Sequence, residues 1–316
     1  MGLYSLNGSM PTFKGMPMVG NQVLPFTTGR YWFVSSVTGS DGNKDASIKR
    51  PLAKLEKAMS LCAVNDVIVL MPGHAETITG AGGITIDVAG VHVVGLGRYD
   101  YRPRFLMDGG ATVTCLVTAA NCSLENCVFA AGHSDIVTFA TVTAAGFRLA
   151  NNHFERNKAD ENFVSIVNTG TVDNGADGLE IIGNVMDFGG DAGELTPITL
   201  SKDSKDVKII NNRIYGDFDT TPYAAIYSAN TEHHMAIEIA YNFIHNLHDA
   251  NAVVGISVGS TTSTGEMHHN RVYALDVAGG TPFVSAATGI ALFENYYTHV
   301  GGTTQGYYAP AQGSLA

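Results

Sequence analysis

One short cadence constrains this chain more than any other feature, and it returns seven times: an apolar residue, two variable residues, Asn, one variable residue, an apolar residue. It is carried by L-E-N-C-V-F at Asn126, A-N-N-H-F at Asn152, I-G-N-V-M at Asn184, I-N-N-R-I-Y at Asn212, A-Y-N-F-I at Asn242, H-H-N-R-V-Y at Asn270 and F-E-N-Y-Y at Asn295. Successive Asn residues are 26, 32, 28, 30, 28 and 25 positions apart. A repeat of that length with a variable remainder is the signature of a coil whose turns agree at one corner and differ elsewhere. Asn suits such a corner because it tolerates a left-handed backbone and its amide both donates and accepts. Stacked, the seven are expected to form a structural ladder, each bonding the backbone of a neighbouring coil.

Short apolar runs of three to five residues fill the intervals, among them V-T-C-L-V, F-V-S-I-V, V-K-I-I and I-E-I, separated by Gly, Asn or Asp. That is strand spacing. Two or three such strands per period make a coil, and a coil buries its apolar side chains only against its neighbours. Thirty-six Gly among 316 residues count against a helical protein. The fold class expected is all-β: a single parallel β-helix solenoid over residues 31–300, with a capping helix at about 51–63, an extended arm over 1–30 and a closing tail over 301–316.

The helix is read from Leu52, Leu55, Met59 and Cys62, which share one helical face after Pro51, with Ser47 as an upstream cap. The arm is interrupted throughout by Gly and Pro, yet Met1, Met10, Met16 and Met18 alternate with Leu3, Tyr4, Leu6, Phe13 and Phe26. It reads as an apolar anchor onto another protein or onto its own domain.

The run T-G-S-D-G-N, P-L-A-K-L-E-K-A, N-D-V-I-V-L-M-P-G-H-A-E-T-I and V-H-V-V-G-L-G resembles the entrance to right-handed parallel β-helix proteins of the pectate-lyase-like superfamily. There a short amphipathic helix plugs the first coil. The resemblance implies a right-handed solenoid in which His74 and Glu76 are structural. It implies no single activity, since the same entrance precedes enzymes and non-enzymes.

Charge narrows the partners. Eighteen basic against twenty-nine acidic residues leave a net charge of −11, with no basic cluster longer than Lys49–Arg50, so no nucleic-acid partner is expected. No apolar run approaches a membrane span of roughly 20 residues, and the N-terminus reads as carrying no secretory signal, which places synthesis in a cytoplasm. Cys62, Cys115, Cys122 and Cys127 stand in apolar contexts without zinc spacing and are expected as reduced core residues, a disulfide among the last three being the alternative.

Candidates for chemistry are scattered. Arg148, Arg213 and Arg271 are the basic residues that an elimination would need, and Arg213 and Arg271 lie two coils apart with Phe243 between them. Pectate-lyase-type elimination also needs a Ca²⁺ site of carboxylates on adjacent coils. Asp217, Asp219, Asp249 and Asp276 follow the Asn corners and read as turn residues. Asp187, Asp191 and Glu194 are the nearest approach to a glycosidase carboxylate pair. His233–His234 and His268–His269 should point to opposite faces of a strand, so that neither pair makes a metal site alone. Trp32, Tyr215, Tyr273, Tyr296 and Tyr297 are the aromatics available to a sugar.

The sequence reading favours a non-enzymatic protein with no cofactor, metal or catalytic residues. By resemblance to tailed-bacteriophage virion proteins it would be a trimeric capsid decoration or small spike, located in the virion. It would be held through residues 1–30 to the major capsid or another virion protein, with a host-surface glycan as a further partner. The alternatives are a polysaccharide depolymerase, lyase or glycosidase, on the same scaffold, and a non-catalytic glycan-binding module.

Overall fold

The computed structural model describes residues 12–13, 16–19, 22–189, 195–218, 224–229, 231–247, 255–274, 283–285, 289–299 and 306–308. Many of the short strands alternate buried and more exposed positions, as in Arg213–Gly216, where Ile214 and Gly216 point inward and Arg213 and Tyr215 outward, while Val67–Leu70 and Val128–Ala131 are buried throughout. That period of two commits each strand to one inner and one outer face.

Three long sheets result, which we number in the order the chain visits them within a coil. Sheet I holds eight strands, from Ile84–Ile86 to Phe283–Ser285. Sheet II holds ten, from Tyr31–Val34 to Gly289–Phe293. Sheet III also holds ten, from Ala75–Ile78 through Asn295–His299 to a last strand, Gly306–Tyr308. Apart from that last strand, which runs antiparallel, all pairing in the three sheets is parallel and in register from one coil to the next. The fold is a right-handed parallel β-helix, the hand that parallel crossovers take almost without exception.

Inward residues stack in like columns, so the core is continuous along the axis. Phe105, Phe129 and Phe154 occupy one register of sheet III, with centroids 5.3 and 5.5 Å apart and rings 17° from parallel. The open N-terminal end is covered by a helix, Leu55–Met59, that buries Leu55 and Ala58. It is shorter than the 51–63 read from the sequence, and Ser47 does not cap it. Instead the Glu76 carboxylate accepts the Leu55 N–H at 2.9 Å, and His74 bonds both Glu76 (3.3 Å) and the Ser36 N–H (3.0 Å). The P-G-H-A-E segment therefore ties the helix to sheets II and III. Trp32 is buried, its indole N–H on Asp66 at 2.7 Å, which removes it from any sugar-facing role.

Within the N-terminal segment, Thr12–Phe13, Met16–Val19 and Gln22–Val23 form an antiparallel meander, contrary to the expectation of an arm without regular elements. Residues 1–11, 14–15, 20–21 and most of the tail lie outside the described residues. All four cysteines are free thiols, and burial pushes Cys115 up to about 12. A disulfide is thereby excluded.

Sheet II passes to sheet III through a tight corner, and here the Asn residues sort themselves. Asn152, Asn184, Asn212, Asn242, Asn270 and Asn295 are fully enclosed. Each amide oxygen accepts the backbone N–H one coil earlier, from Cys127 onto Asn152 (2.9 Å) through Asn270 onto Asn295 (3.1 Å). Each amide nitrogen donates to a sheet II carbonyl of that earlier coil, Leu124, Leu149, Ile181, Ile209, Ile239 and Met267, at 2.7–2.9 Å. Asn126 is one register out: Cys127 takes its ladder position, and Asn126 bonds the carbonyls of Gly95 and Gly97 from the outside. The left-handed residue is also not the ladder Asn. It is the residue before it, and the column of such residues reads Asn126, Asn151, Gly183, Asn211, Tyr241, His269, Glu294, with φ between +53° and +68°.

Candidate functional site

The left-handed column changes character after the fourth coil. Asn and Gly hold this conformation readily. Tyr, His and Glu do not, and each costs roughly 1 kcal/mol or more there. Bulky residues in that conformation concentrate where function has overridden stability. Tyr241, His269 and Glu294 gain nothing inside the core, because the column faces solvent.

What they gain is one another. Tyr241 stacks on the His269 ring at 4.7 Å and 26°. His269 Nε2 lies 2.6 Å from a Glu294 carboxylate oxygen. The two imidazoles of His268 and His269 meet at 2.9 Å, Nδ1 to Nδ1. His268 in turn stacks on Phe293 (4.8 Å, 9°) and directs Nε2 at Glu238 and Glu266, 3.8 Å from each. The expected opposition of adjacent histidines fails here for a local reason: His268 ends a strand, and His269 is the left-handed corner that follows it. Glu294 orients the His269 ring: its carboxylate accepts from His269 Nε2–H, which leaves Nδ1 as the lone-pair nitrogen, in contact with His268 Nδ1, while His268 Nε2 faces the two acids.

Beyond the corner, the first outward column of sheet III reads Arg213, Phe243, Arg271, Tyr296, and the second reads Tyr215, His245, Tyr273, Thr298. Phe243 is 40% and Tyr296 37% exposed. A groove of about 820 Å³ is lined by Tyr241, Phe243, His269, Arg271, Glu294 and Tyr296. It is an aromatic floor with a cation and a carboxylate-held imidazole at one edge.

Other sequence candidates fall elsewhere. Arg148 is committed to Glu125 (3.6 Å) and Glu180 (2.5 Å) on the outer face of sheet II. Asp187 accepts the Gly189 N–H, and Asp217 is buried. Asp191, Glu194, Asp219, Asp249 and Asp276 lie outside the described residues. His234 is enclosed between the hydroxyls of Ser204 (2.8 Å) and Ser228 (2.6 Å), and burial lowers its pKa to about 4. His233 bonds Ser260 and Thr262. Tyr297 points inward against the core, unlike Tyr296.

Among the described residues, one group of three acids is close enough to hold a metal: Asp173, Asp203 and Glu232, on successive coils. They do not fit the Ca²⁺ of an elimination at this groove. They sit where sheet I turns into sheet II, at the other edge of sheet II, and the Lys202 ammonium stands 3.7 and 3.8 Å from Asp173 and Glu232.

No family model and no curated protein matches this chain. Among solved structures it is similar to a pectate lyase (15% identity, TM-score 0.49, covering 85% of this chain and 70% of that one). It is also similar to a rhamnogalacturonan lyase (13%, 0.41, 84% and 87%) and to a lacto-N-biosidase from Eubacterium ramulus (10%, 0.35, 86% and 68%). All three are enzymes by name. The expectation of a non-enzymatic protein is corrected on that finding: the similar solved structures are enzymes by name, at 10–15% identity.

Proposed function

We propose that this chain is a polysaccharide depolymerase of the lyase type, acting on an acidic glycan laid in the groove between the sheet II–III corner and the outer face of sheet III. The observation that carries the reading is the column in which Tyr241, His269 and Glu294 replace left-handed formers and converge beside Arg271. A sugar ring stacks its apolar face on Phe243 or Tyr296. Arg271 meets the sugar carboxylate as a planar fork, strengthening its electron withdrawal. His269, oriented by the Glu294 carboxylate on its Nε2–H, exchanges the contact of Nδ1 with His268 for the substrate, and Nδ1 takes the proton from the carbon beside that carboxylate. As the carbon–carbon double bond forms, the glycosidic C–O bond breaks, the leaving oxygen takes a proton from water, and the resulting hydroxide removes the proton held by His269.

The test is direct. Incubation of the full chain with acidic polysaccharides should release products with the ultraviolet absorbance of an unsaturated uronate, and His269→Ala should abolish it. New reducing ends without that absorbance would replace elimination by hydrolysis, and the absence of any cleavage across such a panel would remove the reading. The trimer and virion location expected from the sequence belong to this proposal as the setting in which such an enzyme would be displayed. A single-chain mass by light scattering removes the trimer.

A further inference from the structure

Over its last four coils the outer face of sheet III has a period of its own. After Ala75, Arg104, Val128, His153 and Val185, its first column alternates cation, aromatic, cation, aromatic: Arg213, Phe243, Arg271, Tyr296. In a chain with eleven more acidic than basic residues, neither Arg213 nor Arg271 has an ion-pair partner among the described residues, and both are exposed. Other outward cations on the solenoid are used differently: Arg104 pairs with Glu155, and Arg148 with Glu180. Beside Phe243, in the coil between the two arginines, His245 is wedged edge-on between Tyr215 (5.0 Å) and Tyr273 (4.6 Å). Its Nε2 is buried and, among the described residues, is the one enclosed side-chain polar atom without a hydrogen-bond partner. Burial lowers its pKa, so the ring beside Phe243 adds no charge to this coil.

Coils rise about 4.8 Å each, close to the advance of one sugar along an extended polysaccharide. One sugar then faces one coil, and the two arginines, about 10 Å apart, face every second sugar. From this we infer that the groove, continued along its first column to Arg213, selects an alternating polymer, with one carboxylate per disaccharide and a neutral sugar between, the neutral ring lying on Phe243. A polymer acidic at every sugar would put a carboxylate on Phe243 and desolvate it without a counter-charge, which is unfavourable. The inference rests on the depolymerase reading for the groove but concerns only its register.

Calorimetric titration of the full chain carrying His269→Ala, which prevents turnover, separates the two. The probes are a hyaluronan hexasaccharide (alternating glucuronate and N-acetylglucosamine), a hexagalacturonate (acid at every sugar) and cellohexaose (no acid). The alternating probe should bind at least tenfold more tightly than either other. Arg213→Gln and Arg271→Gln should each weaken it by a similar factor, about tenfold, and Phe243→Ala should weaken it while narrowing the gap to hexagalacturonate. Unchanged thermal unfolding of these surface variants shows that the fold is intact. Equal or tighter binding of hexagalacturonate, or indifference to Arg213→Gln, overturns the inference while leaving a lyase possible. The alternating preference in a protein whose wild type cleaves none of the polymers upholds the inference and removes the depolymerase.

Discussion

The first four coils and the last three meet the same mechanical demand at the sheet II–III corner and answer it differently. Asn126, Asn151, Gly183 and Asn211 adopt the left-handed turn at little cost, while Tyr241, His269 and Glu294 adopt it against their steric preference. The ladder beneath is the same in both regions, with Asn184 and Asn270 making matching bonds of 2.8–3.1 Å to neighbouring coils. Support is uniform and only the outer residue changes. A uniform ladder can carry a locally unfavourable surface, and the place where it does so marks what the surface is for.

The largest effect expected from breaking this contrast is on turnover. His269→Ala should lower kcat about 10²–10⁴-fold, the usual contribution of a positioned acid–base group, and Glu294→Gln should follow it. Asn151→Ala, at the same corner in the lower region, should leave kcat unchanged. Steady-state kinetics on the two sets decides between a local site and a general property of the corner.

Next comes the ladder. Asn184→Ala strips the acceptor from the Asn152 N–H and the donor from the Leu149 carbonyl, and Asn270→Ala does the same to Asn242 and Ile239. Two buried groups left unpaired should cost about 2–5 kcal/mol at either site. Denaturant midpoints that differ widely between the two variants would show that the support is not uniform.

The upper coils also carry an acid-labile point. His234 is neutral in the folded chain, with its pKa lowered to about 4 by burial, while in the unfolded chain it titrates near 6.5. Its contribution is therefore fully present above pH 6.5 and is lost as the pH falls towards 4, by about 3 kcal/mol in all. Unfolding free energies across that window should show the loss, and His234→Gln should flatten it. The smallest effect is a swap at the corner itself: Tyr241→Asn should stabilise the chain by about 1 kcal/mol, and Asn211→Tyr should destabilise it by a similar amount.

The solenoid was legible because stacking demands repetition, and the Asn cadence reports it. The register of the corner was not. Sequence alone placed the ladder Asn in the left-handed position, whereas the structure puts it one residue later, which is why Asn126 matched the cadence without joining the ladder. The same slip hid the site. Residues preceding the ladder Asn read Asn, Gly, Asn, Tyr, His, Glu, a break visible in the sequence once that column is known to be the left-handed one. Tyr241 and Glu294 were missed on that account. The histidine pair was seen but assigned to opposite strand faces, because alternation holds within a strand and fails at the corner where His269 stands. Arg213 and Arg271 were placed correctly two coils apart with Phe243 between them, since the period of the cadence suffices for that.

The central claim, that the last three corner residues trade stability for a site, is tested most directly by restoring the lower-coil pattern: Tyr241→Asn, His269→Asn and Glu294→Gly in one chain. The account predicts a Tm raised by a few degrees, at about 2–4 °C per kcal/mol for a chain of this size class, together with loss of glycan cleavage. A Tm that falls, with cleavage intact, would contradict it.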